Sequence, residues 1–116
     1  QSTTVEAYDF ATGVWESMPD APYPLGGHGS AVFEGRLHVF GGENLADNRI
    51  ETGHYSLDLA EPNAGWRTEH AMPAPRHGFA AAEVGGTVWI RGGGKRPGLQ
   101  TPWSVTGTAL PLALTE

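Results

Sequence analysis

Arg36-Leu-His-Val-Phe-Gly-Gly42 and Thr87-Val-Trp-Ile-Arg-Gly-Gly93 decide how this chain is read. Each is a short apolar run closed by a glycine pair, and the two pairs stand 51 residues apart. Other landmarks repeat around them. Gly35 returns as Gly86 and Trp15 as Trp66, both at 51 residues. Tyr8 returns as Tyr55 at 47, His28-Gly29 as His77-Gly78 at 49, and Met18-Pro19 as Met72-Pro73 at 54. A period near fifty with a constant internal order is the mark of a repeat protein. The drift in the offsets locates the loops, because loops absorb insertions and strands do not.

Outward from these runs, β-like segments follow one another: Val5 to Asp9, Gly13 to Ser17, His28 to Phe33, Arg36 to Phe40, Thr52 to Leu59, Gly65 to Glu69, Gly78 to Val84 and Thr87 to Arg91. A ninth, weaker one is read near Trp103-Ser-Val-Thr-Gly-Thr108. Several are bounded by Gly, Pro, Asn or Asp, as strand ends are. Glu34-Gly35 and Gly85-Gly86 sit between consecutive strands, where tight hairpins need positive φ. The chain of 116 residues holds 17 Gly and 9 Pro, which leaves little room for helix. Leu57 to Glu61 and the tail after Thr108 lack a breaker, but neither carries a helical apolar stripe. The expected class is all-β.

Composition excludes some functions. A net charge of −6 argues against a general nucleic-acid binder, since phosphate affinity needs clustered cations. The charge is uneven: residues 1–75 carry three Arg against eleven acids, and residues 76–116 carry four basic groups against two acids. With no cysteine, disulfides and thiolate ligands are excluded, and the compartment stays open. No apolar run approaches the ~20 residues of a membrane span. No leader of charged then apolar residues is visible, and a processed secreted or periplasmic chain would have lost one. The five histidines show no His-x-His or His-x-x-x-His spacing, so no metal ligand set is assigned. Gly94-Lys95-Arg96 lacks the Ser or Thr and the helix of a phosphate loop, and Gly26-Gly-His-Gly-Ser30 lacks the second glycine of a nucleophile elbow. No cofactor is implied.

The order of landmarks resembles the kelch repeat, from about Val5 to about Trp103. The middle unit is complete, from His28 through Gly41-Gly42, Tyr55 and Trp66 to Met72-Pro73. The unit before it keeps its Tyr8 and Trp15 half. The unit after it has His77 and Gly92-Gly93, with Trp103 where a strand tyrosine is expected. The resemblance implies a kelch-type β-propeller segment of about two to two and a half four-stranded antiparallel blades. Residues 1–22 end one blade, 23–73 form a complete blade, and 74–116 form a last blade lacking its outer strand. About nine strands do not make a whole number of four-stranded blades, and a terminal strand pair leaves raw edges. The expectation is therefore the C-terminal part of a larger propeller, completed by a second polypeptide segment.

Alternating strand direction puts the loops Glu43 to Arg49, Gly94 to Gln100, Pro19 to Leu25 and Pro73 to His77 on one face. The candidate ligand-binding residues there are Glu43, Asn44, Arg49, Tyr23, Arg76, His77, Lys95 and Arg96. Arginines can hold carboxylates by paired hydrogen bonds, which singles out Arg49 and Arg76. Arg-His before a first strand is also common in the motif, a structural role for Arg76, and the recurrence of His28 and His77 points to packing. The resemblance implies a binding module for a protein, peptide or glycan. An enzyme acting on sugars is the alternative. A copper oxidase of sugars would need a cysteine from elsewhere, whereas a sialic acid mutarotase would draw on acid–base groups such as Arg76, His77 and Glu43. A spacer within an assembly is a third reading.

Overall fold

The structure, a computed structural model, describes residues 1–98 and 106–112. The strands are β1 (Val5–Asp9), β2 (Val14–Met18), β3 (Gly29–Phe33), β4 (Arg36–Phe40), β5 (Glu43–Asn44), β6 (Arg49–Ile50), β7 (His54–Asp58), β8 (Trp66–Thr68), β9 (Ala80–Val84), β10 (Thr87–Arg91) and β11 (Ala109–Leu112). All pairings between them are antiparallel. The sheets are β1-β2, β3-β4-β7-β8 and β9-β10-β11, with β5-β6 as a small hairpin inside the loop after β4. Among the described residues these are a two-stranded, a four-stranded and a three-stranded sheet, here called blades 1, 2 and 3.

Glu34 (φ 48°), Gly35 (φ 73°), Gly85 (φ 59°) and Gly86 (φ 84°) turn the two inner hairpins in the left-handed region. The glycine pairs do a different job. A Cβ on Gly42 would stand 2.6 Å from the carbonyl oxygen of Gly26, and one on Gly93 would stand 2.5 Å from that of His77. Both have positive φ, so each position is closed to other residues twice over.

The core lies between blades 2 and 3. Phe40, Met72, Val88 and Ile90 are buried together, with Ala31, Phe33, Phe79 and Ala81 packed against them. Phe40 and Phe79 stack at 5.8 Å. Main-chain bonds join the blades as well: Gly42 N–H donates to the Arg76 carbonyl and Gly78 N–H to that of Gly27.

Three sequence expectations change. The third strand of blade 3 is Ala109–Leu112, and residues 106–108, the described part of the expected ninth run, lie outside it. It pairs with β10 as Val88↔Leu112 and Arg91↔Ala109. Periodicity gave no class to that short apolar tail; the open edge of β10 does. Gln100, Trp103 and the first half of the run placed there lie outside the described residues. Second, Tyr8 faces Trp15 across its hairpin, and the residue that faces Trp66 is Leu57. Tyr55 faces Thr68, the place held by Glu6 opposite Ser17. The connection after β7 contains a 3₁₀ turn, Pro62–Ala64, and its extra length displaces the tyrosine landmark. Third, His28 and His77 are not equivalent. Glu43 N–H donates to Gly26 just as Gly94 N–H donates to His77, so His77 matches Gly26 and His28 matches Phe79. Gly27 (φ 59°) and Gly78 (φ 61°) hold the same conformation 51 residues apart.

Candidate functional site

The stretch after each glycine pair leaves its blade on one face, where the predicted residues divide into a buried layer and an exposed one. Tyr23 and Arg76 belong to the buried layer and, from repeat positions two residues apart, reach equivalent carbonyls in successive blades. The Tyr23 hydroxyl donates to the carbonyl of Gly41 at 2.7 Å. The Arg76 guanidinium donates to the carbonyls of Gly92 and Thr108, both at 3.1 Å, and to Thr108 Oγ1 at 3.2 Å. Gly41 and Gly92 are the first members of the two pairs, so each linker sends a side chain to satisfy the carbonyl that the sharp turn exposes. Arg76 is 1% exposed. Burial, with the charge of Glu51 nearby, pushes the Tyr23 hydroxyl well above the ordinary phenol range. Its ring lies against Tyr55 at 5.6 Å.

Glu43 and His77 form the joint between the loops. Glu43 Oε2 accepts from Gly98 N–H at 2.6 Å. His77 Nε2 lies 2.7 Å from the carbonyl of Arg96, so this nitrogen carries the proton, and Nδ1 then faces Glu43 Oε1 at 3.6 Å. The main chains of His77 and Gly94 bond in both directions. Gln1 adds a clasp from the other side, its amide bonding the Glu43 carbonyl and the Leu45 N–H.

Asn44 closes its own hairpin. Its amide donates to Asp47 Oδ2, and its Oδ1 accepts from Asp47 N–H. Arg49 reaches Glu51 Oε1 through Nε (3.1 Å) and a terminal nitrogen (2.9 Å), with Asp47 at 3.8 Å. The hydrogen bond and charge of Glu51 raise its already high pKa further. Its side chain is still 58% exposed. Lys95 and Arg96 are exposed at the tip of the neighbouring loop. The structure thus joins Glu43, His77 and the 94–98 loop, holds Asn44 and Arg49 beside them, and keeps Tyr23 and Arg76 beneath.

A buried polar seam escaped the sequence reading. His54 Nδ1 bonds the carbonyl of His70 at 3.0 Å, which makes Nδ1 the protonated nitrogen. His54 Nε2 then accepts from His38 Nδ1 at 2.9 Å. Ser56 donates to Glu69 Oε1 at 2.6 Å and receives Arg36 Nε, while Arg67 reaches the same carboxylate oxygen. His38, His54 and Ser56 are almost fully buried. Desolvation lowers the pKa of His54 from 6.5 to about 4 and lowers that of His38. The signal was available: His38, His54 and Ser56 place polar groups on one face of strands that otherwise read as apolar, and such groups need partners.

No family model matches the chain. Among curated proteins, it is 34% identical over 90 residues to alpha-scruin of Limulus polyphemus, covering 78% of this chain and 10% of that protein. It is 32% identical over 92 residues to Kelch-like ECH-associated protein 1A of Danio rerio, covering 78% and 15%. It is 26% identical over 88 residues to Kelch-like protein terF of Aspergillus terreus, covering 75% and 19%. The chain therefore spans less than a fifth of the length of these relatives.

Proposed function

From the premise that this chain is a kelch-repeat segment, we propose that it is a protein-interaction module. Its loop face grips a carboxylate-rich peptide segment of a partner, and its ring is completed by another polypeptide segment. The observation that carries this reading is the joint made by Glu43 and His77. It ties two loops from different blades to one base, and Arg49, Lys95 and Arg96 stand exposed on those loops. Exposed cations on a braced scaffold bind carboxylates with little ordering to lose. Kelch-like ECH-associated protein 1A bears a name that describes association with another protein, which fits this role.

Selection from a displayed library of acidic peptides tests the loop face. Arg49→Ala and the double variant Lys95→Ala/Arg96→Ala should each weaken a selected peptide about tenfold or more, and added salt should weaken it in the unsubstituted protein. Binding that ignores all three changes removes the proposal. Completion by another segment has its own test. A chain that unfolds cooperatively and sediments as a monomer with nothing added would refute it.

A further inference from the structure

The Glu43–His77 joint contains a mismatch. Glu43 Oε2 accepts the Gly98 N–H at 2.6 Å, and the His77 Nε2 proton goes to the Arg96 carbonyl at 2.7 Å. The remaining pair of atoms makes no hydrogen bond. A neutral His77 turns the lone pair of Nδ1 toward Glu43 Oε1, so an acceptor faces an acceptor. The two atoms stand 3.6 Å apart, beyond hydrogen-bond reach. Both side chains are largely enclosed, at 11% and 15% exposure, so solvent screens their repulsion only in part.

The surroundings offer one proton a definite place. Added at Nδ1, it turns the lone pair into a donor toward Oε1. Both imidazole nitrogens then donate, Nε2 to the 94–98 loop and Nδ1 to the carboxylate on β5. The charged groups around His77 are Glu43 from β5 and, on the loop, Lys95 and Arg96. The carboxylate stands against Nδ1, whereas the side chains of Lys95 and Arg96 are exposed and their opposing charge is screened. The Arg76 guanidinium is turned to Gly92 and Thr108. From the linker before β3, Gly27 presents main chain alone.

We propose that His77 is a proton-operated latch on the loop face. Proton uptake at Nδ1 closes the joint onto Glu43, fixes the 94–98 loop with Lys95 and Arg96, and raises affinity for a carboxylate-bearing segment. This rests on the proposed carboxylate-binding role of the face and adds its regulation. An imidazole and a carboxylate ordinarily carry opposite charges between about pH 4.3 and 6.5. The latch therefore closes as pH falls from about 7.5 to about 5.5. Two effects then act together. A fixed loop has less freedom to lose on binding. The joint also changes from net negative to neutral, which removes a charge that repels the ligand. The buried His38–His54 pair acts in the opposite sense, weakening the fold as pH falls, so it cannot produce a gain at the loop.

The test reads the loop first without a peptide. In the full chain, protection of the Gly98 amide from hydrogen exchange, corrected for the intrinsic pH dependence of exchange, should be about threefold or more higher at about pH 5.5 than at about pH 7.5. His77→Gln keeps a donor for the Arg96 carbonyl but takes up no proton, and should show no such rise. Glu43→Gln should hold the joint closed at both pH values, because its amide oxygen accepts from Gly98 and its amide nitrogen donates to neutral His77 Nδ1. An acidic peptide selected on the loop face should bind the unsubstituted chain about threefold or more tighter at the lower pH, and Glu43→Gln with little pH dependence. Gly98 protection that is flat with pH, or that rises equally in His77→Gln, overturns the latch. So does a Glu43→Gln chain that responds to pH as the unsubstituted one does. A peptide whose affinity ignores pH while Gly98 responds overturns the regulation. Failure of the loop-face reading is distinct: Gly98 responds as expected and no acidic peptide binds at either pH, which keeps the latch and removes its carboxylate ligand.

Discussion

Gly86 and Gly93 share a positive φ and differ in their surroundings, which separates conformational strain from packing. Gly86→Ala meets open space and should cost about 1 kcal/mol. Gly93→Ala drives a methyl group into the His77 carbonyl and the Phe79 backbone, and should cost about 3 kcal/mol or more, read from denaturant midpoints. Tyr23 and Arg76 are a second matched pair. Tyr23→Phe leaves the buried Gly41 carbonyl without its donor and should cost about 1–2 kcal/mol; Arg76→Met removes three donations and should cost about 3 kcal/mol. The sequence reading put both residues among candidate ligand contacts on one loop face. It could not show which side chains point inward, because that depends on where the next blade's glycine turn arrives.

The four-stranded blade and its neighbour meet through elements that were legible for different reasons. The inner hairpins were legible because a short turn and a Gly-Gly ending act locally. Strand β11 was not, because Ala109–Leu112 becomes a strand only through pairing with β10. Phe40→Ala should loosen the interface between these elements by about 3–5 kcal/mol, measured by chemical unfolding. The polar seam at this interface gives a pH dependence. The folded chain protonates His54 near pH 4, against 6.5 for the free side chain, so the unfolded chain binds more protons between these values. Stability should be full above about pH 6.5 and fall as pH drops toward 4, and the lowered pKa of His38 adds in the same direction. Arg36, Arg67, Glu69 and the His70 carbonyl face this pair. His54→Gln should flatten the slope of the unfolding midpoint against pH, whatever it does to the midpoint at neutral pH.

At the scale of the molecule, blades 2 and 3 stand side by side and complete one core, which is why Phe40, Val88 and Ile90 are buried. The repeat, the all-β class and the face that carries the loops were written in spacing and composition, because hairpins, turns and alternation are governed by residues close together in the chain. The matching of positions between blades, the inward turn of Tyr23 and Arg76 and the Glu43–His77 joint came only with the folded chain. Each depends on groups tens of residues apart arriving within a few ångströms, and sequence distance carries no record of which of them will meet.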